Sequence, residues 1–131
     1  MKRLICVISL ALALASCSTI SNVVGVVTGT TVTPNQAYIA ANAFDALEAT
    51  ATTYLKLPAC VSGGSAVCRT QSAVNAIVPA IRVGRKARNN LLAAVTAANG
   101  SPVSASLYAT LTGQASTLQQ IMTSYNIGAN Q

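Results

Sequence analysis

Between residues 34 and 125 apolar side chains recur at every third or fourth position in three separate runs, and no stretch there alternates with a period of two. Such spacing lays one apolar stripe along one face of an α-helix, so the pattern points to an all-α fold rather than a sheet. The first run is Ala37, Ala40, Ala41, Phe44, Leu47, Ala51, Tyr54 and Leu55. Ahead of it, Thr33 can cap, Pro34 suits the first helical position and Gln36 stands at capping-box spacing. Pro58 ends the run, which predicts a helix over residues 34–57. The second stripe, Val74, Ile77, Val78, Ile81, Gly84, Leu91, Leu92 and Val95, predicts a helix from near Thr70 to a stop at Asn99-Gly100. Pro79 lies inside it and should kink it. Ser101-Pro102 repeats the cap-plus-proline start, and Leu107, Tyr108, Leu111, Ala115, Leu118, Ile121, Met122 and Tyr125 form the third stripe. Three such helices with short connections bury their stripes most simply as an antiparallel three-helix bundle over residues 34–131. Alanine-rich faces allow close approach and leave a thin core. Of the five aromatic residues, only Tyr38 projects off its stripe.

Cys60 and Cys68 flank the segment VSGGSAV between the first two predicted helices. In an exported protein, two cysteines in one short loop should pair. Closing a loop of nine residues contributes about 2.5 kcal/mol in the chain-entropy model, a large share of the stability of so small a core. A redox site would call for a CxxC motif, and a zinc site for more ligands, so a structural disulfide is expected and no metal.

Charge is scarce and clustered. Eight Lys and Arg face two acids, Asp45 and Glu48, and histidine and tryptophan are absent. Arg82, Arg85, Lys86 and Arg88 form the one basic cluster. At about 100° per residue Arg88 falls in the middle of the apolar stripe, Arg85 at its edge, and Arg82 and Lys86 on the flank. Glu48 likewise falls near the centre of the first stripe and Asp45 on its flank. Counting back from Leu57 and forward from Thr70 sets Asp45 opposite Arg82; the same register brings Arg82 or Arg85 closer than Arg88 to Glu48, and leaves Arg88 to reach Asp45 or water. Two roles follow for the cluster: an interhelix ion-pair network that fixes register, or a surface for an anionic partner, either lipid headgroups or an acidic protein. Without histidine the chain lacks the usual general base near neutral pH, and its two acids are too few for most metal sites. An enzyme is therefore not expected, nor a cofactor. Nucleic acid is not expected either, since no aromatic residues interleave the cations.

Met1-Lys2-Arg3 is a basic start, and residues 4–14 form an apolar run whose only polar side chain is Ser9. The run is too short to span a bilayer and fits the signal peptide pattern of charge, apolar stretch and small-residue cleavage site. The tetrapeptide Leu14-Ala15-Ser16-Cys17 resembles the lipobox of bacterial lipoproteins at every position. That resemblance implies diacylglyceryl on the Cys17 sulfur, removal of residues 1–16 and acylation of the new amino group. Ser18 in place of Asp resembles the family's outer-membrane pattern. Cleavage of 16 residues from 131 leaves 115; Lys2 and Arg3 depart, so six cations face two acids at a net charge of +4. Residues 17–33 are rich in Ser, Thr, Gly and Val and carry no charge, which reads as a lipidated terminus and flexible tether. The apolar patch Val23-Val24-Gly25-Val26-Val27 is unusual for a linker and could instead lie on the head or on lipid.

The expected protein is thus a lipid-anchored envelope protein, periplasm-facing on the outer membrane, whose helical head binds or scaffolds an envelope protein or anionic lipid without catalysis. An exclusion or immunity lipoprotein of a phage or mobile element suits the same features. Replacing Cys17 with Ser should abolish lipid labelling and lipoprotein processing in cells, whereas an unmodified N-terminus on the wild-type mature chain, read by mass spectrometry, would refute lipidation.

Overall fold

A computed structural model describes residues 29–64 and 67–128; the expected signal peptide, Cys17 and most of the expected tether lie outside these. Three helices, α1 (Pro34–Leu55), α2 (Gln71–Ala97) and α3 (Ala105–Ser124), pack pairwise as an antiparallel bundle. Two short strands, β1 (Thr31–Val32) and β2 (Val103–Ser104), pair antiparallel at one end. Among the described residues no helix is long and apolar enough to cross a membrane.

Local chemistry accounts for the helix ends. At the start of α1 the Thr33 side chain accepts from the Gln36 N–H at 3.3 Å while the Thr33 N–H donates to Gln36 Oε1 at 2.9 Å. Two otherwise orphaned donors are thereby satisfied. Lys56 caps the C-terminus. Thr70 caps α2 by accepting from the Ala73 N–H. That helix runs unbroken through Pro79, whose exposed position leaves the unpaired carbonyl one turn earlier open to water. Beyond Ala97 the chain turns through Asn99 and Gly100, both with positive φ, as a helix stop of this type requires.

Two expectations are corrected here. Residues 31–32 do not belong to a tether: they form β1, which holds Val32 only 2% exposed beside Val103. The third helix starts not at Ser101-Pro102 but at Ala105, capped by Ser104, because Val103 and Ser104 are taken up as the partner strand. No period-two pattern foretells strands this short; burial of two valines drives the pairing.

The Cys60–Cys68 disulfide is formed, with Cα atoms 5.0 Å apart. The rest of the loop is tied off beside it. Arg69 N–H donates to Pro58 O, Cys60 N–H donates to Arg69 O, and Arg69 Nε donates to Leu57 O at 2.8 Å. Tyr54 Oη accepts from the Thr70 N–H at 2.9 Å, so the last turn of α1 holds the first residue of α2.

The core differs from the stripes on α2 and at the C-terminal end. On α2 the buried residues are Ala73, Ile77, Ala80, Ile81, Gly84, Ala87, Leu91 and Val95. Val78 is exposed, and Val74 and Leu92 are only partly buried. The buried face is rotated by about 50° from the one marked by the large apolar residues, toward the alanines, because α3 comes close only where side chains are small. At the C-terminus, Ile127 folds back and donates its N–H to Met122 O at 2.8 Å, joining the core, while Tyr125 is partly exposed.

Phe44 is fully buried, and a Cβ at Gly84 would collide with the edge of its ring. Replacing Gly84 with Ala gains about 1 kcal/mol of helix propensity, yet overpacking against a ring with nowhere to retreat costs about 1–3 kcal/mol. The net result should be a lower unfolding midpoint in urea, and a midpoint raised by the substitution would show that Phe44 can move aside.

Candidate functional site

On the flank where α1 meets α2, residues at helical spacing on α1 face the basic cluster of α2 across a groove. It is lined by Asp45, Glu48, Thr52 and Lys56 on one side and Arg85, Arg88 and Asn89 on the other, enclosing about 620 Å³. A contiguous stretch, lined by Thr52, Leu55, Val78, Ile81, Arg82 and Arg85, adds about 390 Å³. The charged residues marked in the sequence other than Lys86 therefore line one groove.

Both acids are paired. Arg85 donates from Nε and Nη2 to Glu48 Oε1, at 2.8 and 2.5 Å. Arg88 Nη2 donates to Asp45 Oδ2 at 2.7 Å and its Nη1 to Asn89 Oδ1 at 3.3 Å. Register sets Asp45 opposite Arg82, but its partner is Arg88, six residues further along α2, the alternative that the sequence also offered, and Glu48 takes Arg85, one of the two arginines expected nearest to it. The backbones are close to the expected register, since the Phe44 ring lies on Gly84. Side chains on a helix lean toward its own N-terminus, and in an antiparallel pair the two leans add. Each long arginine therefore reaches back along α2 to a carboxylate that leans toward it.

The rotation of the buried face also moves Arg88. Instead of the middle of the stripe it occupies an edge, its side chain 33% exposed and that of Asp45 39%. Its Nε atom is nevertheless shielded from solvent without an acceptor. Arg85 lies further out, its side chain 58% exposed above Glu48 at 19%. Glu48 raises the Arg85 guanidinium above its ordinary value, first through the hydrogen bond and then through charge, with desolvation opposing. A raised pKa on a cation gives stabilisation that is present below its ordinary value and lost only above the raised one, so Arg85 is a fixed cation at any physiological pH.

Lys86 lies exposed on the outer side of α2, and Arg82 on the rim of the groove. Neither these two nor Lys56 has an ion-pair partner among the described residues. Sequence reasoning passed over Lys56, although its spacing from Asp45, Glu48 and Thr52 put it on that flank. It also passed over Arg69, whose work is in the loop. Cys60 and Cys68, bonded to each other, lie away from the groove, and Cys17 lies outside the described residues. No group of three or more His, Cys, Asp or Glu suited to a metal occurs among the described residues.

The arrangement offers fixed cations with unused N–H donors: Arg85 spends two of its five on Glu48. Residues 89–131 contain no charged side chain, so α3 is neutral. Several hydroxyls on α3, including those of Thr110, Thr117 and Thr123, donate to carbonyls of the same helix. The bundle thus has one cationic flank and one uncharged one. The chain matches no protein-family model, and neither curated proteins nor solved structures show a significant similarity to it.

Replacing Asp45 with Ala should cost about 1 kcal/mol in urea unfolding by stranding a half-buried guanidinium. Adding Arg88→Met, which keeps the packed stem and removes the unsatisfied Nε, should restore most of it. Additive losses in the double variant would show that the pair carries no coupling.

Proposed function

We propose that the protein is a lipid-anchored component of the bacterial cell envelope whose helical head binds or scaffolds another envelope component without catalysis. The observation that carries this reading is the lipobox-like Leu14-Ala15-Ser16-Cys17 after a basic start and a short apolar run. The bonded Cys60–Cys68 pair supports it, since such bonds persist in oxidising, exported compartments. Two or three acyl chains would hold the protein durably where one would not. The head offers anion-binding cations in an open groove, in which both carboxylates are engaged by arginines.

Membrane fractionation tests the proposal. The wild-type protein should float with the outer membrane, and Ser18→Asp should move it to the inner-membrane fraction. A wild-type protein recovered soluble after cell disruption would refute the anchor.

A further inference from the structure

We infer that the α1–α2 flank is a docking surface for the anionic phospholipid headgroups of the leaflet that holds the anchor, so that the head lies on its side against the membrane with α3 outward. The inference rests on the reading of Cys17 as a lipid anchor.

Three observations favour this occupant. First, charge is distributed on one side only. Arg82, Arg85 and Lys86 occupy one solvent-facing sector of α2, Lys56 approaches from α1, and α3 carries no charge. An anionic plane therefore attracts one flank and is indifferent to the other. Second, the stretch of groove beside Arg82 and Arg85 has Leu55, Val78 and Ile81 in its lining. Val78 is exposed despite being apolar. Cations over an apolar floor suit a phosphate with the upper acyl region beneath it, whereas an acidic peptide would set its carboxylates against Val78. Third, the reach is sufficient. Gly29 lies twelve positions beyond Cys17, at most about 40 Å of chain. The cationic sector lies about 20 Å along the bundle from the start of α1, so anchor and flank can meet one leaflet.

The strength expected is modest and sufficient. Each Lys or Arg near an anionic leaflet contributes about a fivefold preference. The unpaired cations Arg82, Lys86 and Lys56 together give about a hundredfold. That is too little to recruit a free protein, and enough to orient one already tethered, for which the membrane is at high effective concentration.

After signal removal the lysines of the chain are Lys56 and Lys86, which makes amine acetylation a direct footprint. Mature protein isolated from membranes is bound to vesicles of phosphatidylcholine alone or with one third phosphatidylglycerol, and acetylation of Lys86 is followed by mass spectrometry. Acetylation should be several-fold slower on the anionic vesicles, with the protection lost at high salt and reduced up to about fivefold by Arg82→Gln, an exposed residue whose loss leaves the fold intact. Flotation with neutral vesicles reads the anchor separately. Protection on anionic vesicles without flotation on neutral ones upholds the surface and removes the anchor. Equal acetylation on both vesicles by a protein that floats overturns the surface, and a protein that floats with neither vesicle overturns the anchor and the inference that rests on it. Protection by polyglutamate but not by anionic vesicles overturns it in favour of an acidic protein.

Discussion

The Phe44 ring lies against Gly84 where α1 faces α2, and much of the molecule is arranged around that meeting. Phe44 is the chain's one phenylalanine and is wholly buried, while Gly84 removes the side chain that would hold the helices apart. Once the two are seated, register leaves little freedom: Tyr54 falls within hydrogen-bonding reach of Thr70, and the loop from Leu57 to Arg69 must close in a span that the disulfide and Arg69 secure. The same seating brings the two acids within reach of arginines from the facing helix. The ion pairs follow from the apolar contact rather than dictating it, as their solvent exposure also implies.

The helices and the disulfide were legible in the sequence because their signals are local. A threonine, a proline and a glutamine within four residues announce α1, Asn99-Gly100 announces the end of α2, and two cysteines in one loop have each other within reach. The ion-pair partners were legible only as alternatives, because counting along helices locates backbones while long side chains displace the point of contact by a turn. Arg88 was misplaced for a related reason: a stripe drawn through Val74, Val78 and Leu92 weights side-chain size, whereas the face that is buried is the one where Ala73, Ala80 and Ala87 permit close approach. The two strands escaped notice because each owes its existence to a single buried valine from a distant part of the chain.

The division of the bundle into a cationic flank and a neutral one has no counterpart in what the core requires. A helix can keep its outer surface soluble with mixed charges, and α3 instead uses Ser, Thr and Gln. By returning hydroxyl donors to its own carbonyls it withholds several of them from a partner. The flank between α1 and α2 does the reverse, gathering both acids and still presenting cations in excess. Solubility accounts for neither choice, whereas the orientation proposed above, toward something negatively charged, would account for both.

The pairing of β1 with β2 has a mechanical meaning. Any pull transmitted along the chain from residues before Gly29 arrives first at Thr31 and Val32, which are held by a two-residue ladder, by the Ala105 N–H on Thr30 O and by one buried valine. Ladders this short have little strength of their own. Under load they would peel away before the capping box of Thr33 and Gln36 is strained, releasing about 13 Å of slack from residues 29–32. The helices would stay folded throughout, and the strand would return when the tension fell, so the bundle enters its lead through a resettable strain relief.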